Sequence, residues 1–189
     1  MSRRVPSKKL LATAMALLFA GLSIARGLTL QQQSSAQSSV TTLGSYRVEQ
    51  VVDGDTIELK VDGRMQKVRL IGMDTPEVVD PRKVVQCFGR EASARAHEVL
   101  EGQTIRLEYD VQVGERDKYG RLLGYVFLPD GTNYAEKMIR DGYAHEYTYQ
   151  GQVYKYQAAF KAAEAEAEQV SRGLWSPNTC GGDTKQPAK

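Results

Sequence analysis

The chain has 189 residues, 41% hydrophobic and 25% charged, which suits one ordinary domain with a real core plus tails. Its net charge of +2 hides an asymmetry: residues 1 to 25 hold four basic groups and no acids, leaving −2 on the remainder. That balance excludes a generic cationic coat for polyanions, so any polyanion must be held by a local cluster of arginines and lysines.

In chain order, the first element is a leader. Arg3, Arg4, Lys8 and Lys9 precede an apolar run from Leu10 to Ala25 that ends in the small-x-small triplet Ser23-Ile24-Ala25. This is the pattern of a secretory signal, with an uncleaved anchor as the alternative because Leu28 and Leu30 extend the apolar character past Arg26. Either way the domain is expected outside the cytoplasm, secreted or periplasmic, with a membrane anchor as one option. Residues 26–43, rich in glutamine and serine, read as a polar linker. Residues 44–180 form the folded domain, and residues 181–189 are expected to fray as a disordered tail.

Within the domain, Tyr46 to Val52, Thr56 to Val61 and Lys67 to Met73 have the β-branched content and alternation of strands, with Asp53-Gly54 and Asp62-Gly63 as turns between them. Gly89 to Leu100 fits a helix, since Ala92, Ala96 and Leu100 recur at helical spacing and Gly102 follows. Thr104 to Tyr109 and Leu122 to Leu128 alternate again as strands. Two helices close the chain, Asn133 to Arg140 and Tyr154 to Arg172, each followed by a glycine. This order predicts an α+β fold, mainly β: a five-stranded Greek-key barrel of the OB type with three helices. Trp175 is expected to pack the last helix against the barrel.

Cys87 and Cys180 are the two cysteines. In an exported chain they are expected to pair, closing a loop whose entropy contributes about 4 to 5 kcal/mol.

The chemistry concentrates at two strand ends. Asp55 and Asp74 can converge, and two carboxylates at one point need a cation between them. With oxygen donors only, that cation is a hard one, calcium or magnesium. Glu77, turned by Pro76, is a candidate general base for a water molecule. Arg69 and Arg121 are candidates to grip a phosphate, because a guanidinium offers paired donors matched to its oxygens. His97 and His145 lack partners at ligand spacing and read as ordinary groups. Of the tyrosines between Tyr143 and Tyr156, most are expected to pack the barrel edge, and Tyr147 alone is a candidate base contact.

These residues resemble a known family, the thermonucleases of the staphylococcal (micrococcal) nuclease type. The resemblance is carried by Val52-Asp53-Gly54-Asp55-Thr56, by Arg69 with Asp74-Thr75-Pro76-Glu77, by Asp117-Lys118-Tyr119-Gly120-Arg121 and by Tyr147-Thr148-Tyr149, in that order between about Tyr46 and Trp175. It implies an OB-fold enzyme, a calcium-dependent, sugar-nonspecific endonuclease that hydrolyses phosphodiester bonds of DNA and RNA and leaves 3′-phosphate ends. Asp55, Asp74 and the carbonyl of Thr75 would hold Ca2+, Glu77 would activate water, and Arg69 and Arg121 would stabilise the pentacoordinate state. Lys118 and Tyr119 would contact a terminal phosphate and Tyr147 a base. Single-stranded or locally unpaired nucleic acid is the expected substrate, and a monomer the expected state. The alternative is a nucleic-acid-binding module of the same fold without catalysis. One departure is plain: Val78 to Phe88, with Pro81 and Cys87, does not follow the lysine-rich loop of the best-known member, which also has no cysteines.

Overall fold

The computed structural model describes residues 42–78 and 84–188. The expected leader, most of the expected linker, residues 79–83 and Lys189 lie outside them.

Five strands close into a barrel: β1 (Thr42–Val51), β2 (Thr56–Val61), β3 (Arg64–Leu70), β5 (Thr104–Glu108) and β6 (Leu122–Phe127), in the spatial order β1-β2-β3-β6-β5. The first three form the antiparallel meander predicted by the turn glycines, and β2 has the predicted bounds. β1 serves two neighbours. Its first half pairs with β5 and its second half with β2, the register shifting between Val48 and Gln50, which bends the strand around the barrel corner. Closure is completed by parallel pairing of β3 with β6.

Alternate side chains point inward, so Ile57, Leu59, Val68, Leu70, Ile105, Leu107 and Leu122 fill the interior. Three helices complete the fold: α1 (Gly89–Leu100), α2 (Tyr134–Arg140) and α3 (Gln157–Gln169). α1 buries Ala92, Ala96 and Leu100, the predicted face. α2 starts one residue later than expected because Asn133 caps it, its side-chain oxygen accepting from the Glu136 N–H at 3.3 Å. α3 starts after Tyr154 and Lys155 rather than at them. The Lys155 N–H is already committed to Asp110 Oδ2 at 2.8 Å and the Tyr154 hydroxyl to Glu146 at 2.8 Å, which holds both residues in the preceding turn.

Three expectations need correction. The third strand stops at Leu70 and not at Met73: Gly72 adopts φ +81°, and Met73–Asp74 becomes a separate short strand, β4, paired with β7 (His145–Glu146). Trp175 does not pack α3 against the barrel. Its ring meets His145 edge-on at 4.9 Å and lies in a satellite cluster with Phe88, Leu174, Cys87 and Cys180. The segment after Cys180, expected to be loose on account of its polarity, is paired along its backbone: the Cys87 N–H donates to the Gln186 carbonyl at 2.8 Å and the Ala188 N–H to the Val85 carbonyl at 2.8 Å. Cys87 and Cys180 are joined, with Cα atoms 5.9 Å apart.

Candidate active site

Asp55 sits in the turn between β1 and β2, and the turn is fixed from several directions. The Asp53 carboxylate accepts the Asp55 N–H at 3.0 Å, the Asp55 carbonyl accepts the Leu70 N–H at 2.9 Å, and the buried Tyr134 hydroxyl donates to the Gly54 carbonyl at 3.0 Å. A β-carbon on Gly54 would fall 2.5 Å from Thr75 Cγ2, so only glycine lets the turn approach the Thr75 side chain this closely. Through that approach Asp55 Oδ2 accepts from the Thr75 N–H at 3.0 Å and from its hydroxyl at 3.2 Å.

Arg69 lies opposite Thr56 in the β2–β3 register. Its guanidinium makes an ion pair with Asp55 through Nη1 and donates through Nη2 to Asp74 Oδ1 at 2.8 Å. One half-buried cation therefore ties the two carboxylates predicted to converge. Burial pushes Arg69 below its ordinary pKa, against the opposing pull of Asp74 and Asp53. Burial likewise pushes the Asp53 carboxyl up against the pull of Arg69, and the charge of Glu77 pushes it in the same direction. Asp53, Arg69 and Glu77 thus share one electrostatic neighbourhood.

Glu77 is half-buried and follows Thr75-Pro76 out of β4. Its Oε1 accepts the Val78 N–H at 3.0 Å, and its own N–H donates to Gln86 Oε1 at 2.7 Å.

Arg121 is positioned by Asp117 across the turn between β5 and β6. Asp117 Oδ2 accepts from Arg121 Nε at 2.7 Å, while Oδ1 accepts the N–H groups of Tyr119 and Arg121 at 2.9 and 3.0 Å. Burial alone would raise the Asp117 carboxyl. The hydrogen bonds from Arg121 and Tyr119 outweigh it, holding Asp117 below its ordinary pKa and charged.

Arg69, Asp74, Lys118, Tyr119, Arg121 and Tyr147 line one cleft of about 510 Å3. Tyr119 is 72% exposed and Tyr147 42%, so both present aromatic faces to it. Tyr147 is set there by the β4–β7 pairing, its N–H donating to the Gly72 carbonyl at 3.0 Å. Tyr154 also lines the cleft but is buried, and Tyr156 packs edge-on against Tyr125 at 4.6 Å. His145, opposite Asp74 in β7, lies 3.4 Å from Glu164, and His97 lies 2.7 Å from Glu101.

The structure adds two residues to the predicted set. Asp53 shapes the Asp55 turn through its side chain, a role consistent with Asp-Gly-Asp but not separable from it in sequence. Arg116 lines the cleft and braces the 117–121 turn, its Nη1 donating to the Gly120 carbonyl at 2.8 Å and to Gln66 at 3.1 Å. No sequence signal distinguishes it from a solvated arginine.

The donor set can be tested against a cation. Among the described residues no group of three or more His, Cys, Asp and Glu side chains is gathered to hold a metal. Two carboxylates do converge, Asp55 buried and Asp74 with a side chain 54% exposed. That all-oxygen pair fits a hard cation bound with few protein ligands, backbone oxygen and water completing the shell. Arg69 now supplies the positive charge between them.

Comparison with known proteins agrees with this geometry. The thermonuclease of Staphylococcus hyicus is 42% identical over 132 residues, covering 70% of this chain and 76% of the relative. That of Staphylococcus intermedius is 41% identical over 131 residues, with 69% and 76% covered. Endonuclease YncB of Bacillus subtilis (strain 168) is 37% identical over 135 residues, with 71% and 63% covered. Residues 67–177 match the family described as staphylococcal nuclease homologue, and the chain, with its OB barrel, belongs to that family.

Proposed function

We propose that this phosphodiester hydrolase is an exported, calcium-dependent, sugar-nonspecific endonuclease that cleaves DNA and RNA to leave 3′-phosphate ends. The observation that carries the reading is the convergence of Arg69, Asp74 and Arg121 on one cleft flanked by exposed tyrosines. A scissile phosphate held there would meet two guanidinium groups, whose positive charge opposes the negative charge that grows on its oxygens as the reaction proceeds. Glu77 accepts a proton from the attacking water; the new P–O bond forms as the P–O5′ bond breaks, and the 5′ oxygen leaves with a proton from solvent. Calcium, held by Asp55, Asp74 and the Thr75 carbonyl, would supply positive charge to the phosphate oxygens. Lys118 and Tyr119 would take a neighbouring phosphate. Tyr147 offers a face on which a base can stack, which favours unpaired strands because a base inside a duplex is already stacked.

Export is supported by the basic and then apolar pattern of residues 3–25 and by the Cys87–Cys180 bridge, which persists in an oxidising compartment. The test is digestion of denatured DNA and of RNA by the purified protein, with millimolar calcium or excess chelator, followed by end-group analysis. The expected result is loss of both substrates only with calcium, with 3′-phosphate ends. Salt-sensitive binding without cleavage would replace this reading with a binding module of the same fold.

A further inference from the structure

Glu77 does not stand on a regular element, yet a general base must be held to within a fraction of an ångström of its working position. Among the described residues, Gln86 grips the Glu77 backbone from both sides. The Glu77 N–H donates to Gln86 Oε1 at 2.7 Å, and the Gln86 N–H donates back to the Glu77 carbonyl at 2.9 Å. The Gln86 carbonyl also accepts the Gly89 N–H at 3.0 Å. A β-carbon on Gly89 would stand 3.1 Å from the Glu77 carbonyl oxygen, so α1 begins tight against the same peptide.

Gln86 is itself held by the C-terminal segment. Residues 85–87 pair antiparallel with residues 186–188, with Gln86 opposite Pro187. The N–H groups used in that pairing belong to Cys87 and Ala188, so the proline occupies the position that needs none. The segment is folded back onto its own start, Gln186 Nε2 donating to the carbonyls of Cys180 at 2.9 Å and Asp183 at 2.7 Å. The disulfide then fastens Cys180 to Cys87, the neighbour of Gln86.

We propose that Gln86 is a positioning residue for Glu77 and that the Cys87–Cys180 bridge with residues 180–188 is the buckle that holds Gln86 in place. The proposal rests on the reading of Glu77 as the general base. It makes the C-terminal segment part of the catalytic apparatus although, like Glu77, none of its described residues lines the cleft.

The test is steady-state cleavage of a single-stranded oligonucleotide by full-length variants in millimolar calcium, measured on the alkaline plateau of the pH profile. Gln86→Met removes the acceptor at similar side-chain length and is expected to lower kcat about ten- to a hundredfold, with KM within about twofold of the parent. Gln86→Glu keeps an acceptor oxygen and recovers most of the rate. In a Glu77→Gln background, Gln86→Met costs nothing further, because the group it positions is already gone. The double variant Cys87→Ser/Cys180→Ser loses kcat in the same selective way. If Glu77→Gln is strongly impaired while Gln86→Met is as fast as the parent, the clamp is overturned and the general base stands. Equal Gln86→Met losses in both backgrounds also overturn it, since Gln86 would then act elsewhere. Parental turnover in Glu77→Gln removes the general-base reading, and the positioning role goes with it.

Discussion

Arg69 and Arg121 reach the same cleft from opposite histories. Arg69 is a strand residue whose guanidinium is held between two carboxylates, whereas Arg121 closes a turn and is steered by Asp117. The second arrangement leaves the remaining guanidinium donors to face a substrate. Arg121→Ala is therefore expected to lower kcat about a hundredfold or more while changing KM little, as for a donor aimed at developing charge. Arg121→Lys should not restore it, because an ammonium cannot bond Asp117 and also offer a planar pair of donors. Stopped-flow binding and single-turnover cleavage separate the two effects, and a loss confined to affinity would make Arg121 a docking residue. Both arginines were readable from the sequence because each lies in a short motif with its acid. Gln86 was not, since nothing local marks a glutamine that bonds a residue nine positions earlier.

At the scale of elements, what the sequence made legible was local. The β2 and α1 periodicities stand where alternation and helical spacing put them, and Asp53-Gly54-Asp55 is the turn it was read as. The β4–β7 pair was hidden because two-residue strands carry no period, and their pairing joins residues some seventy positions apart. That pair nevertheless sets Tyr147 and puts Asp74 on a strand. The Asp53–Asp55 turn allows a sharper expectation. Gly54 has no strained backbone angle to excuse it; its necessity is steric, and Gly54→Ala would force Thr75 away from Asp55. A destabilisation of about 1–3 kcal/mol is expected from such overpacking, together with weaker calcium binding at the proposed Asp55–Asp74 site. Thermal unfolding with and without calcium measures both, and an unshifted midpoint in each condition would mean the turn yields freely.

Across the whole molecule, the barrel's end is tied by a buried polar knot. Glu108 accepts from Lys155 Nζ at 2.7 Å, the Tyr156 hydroxyl at 2.8 Å and Arg106 at 3.2 Å, linking β5 to the chain entering α3. Burial alone would raise its carboxyl, but these donors outweigh it and hold it below its ordinary value of 4.5. The sign follows: the stabilisation is fully present above the unfolded value and is lost as pH falls through the lower folded one. Glu108→Gln is expected to cost about 1.5–3 kcal/mol near neutrality and to flatten the acid limb of a denaturant-derived stability curve. A limb as steep as the parent's would assign acid sensitivity to other carboxylates.

Arg69 and Asp74 precede Cys87, whereas Lys118, Tyr119, Arg121 and Tyr147 fall inside the covalent ring that Cys87 and Cys180 close over 93 positions. A protease that nicks an exposed turn of that ring, such as the one carrying Tyr119, opens it without releasing either piece. Both halves of the cleft stay tethered at high effective concentration, so a single cut in a protease-rich environment wounds the enzyme without dismembering it.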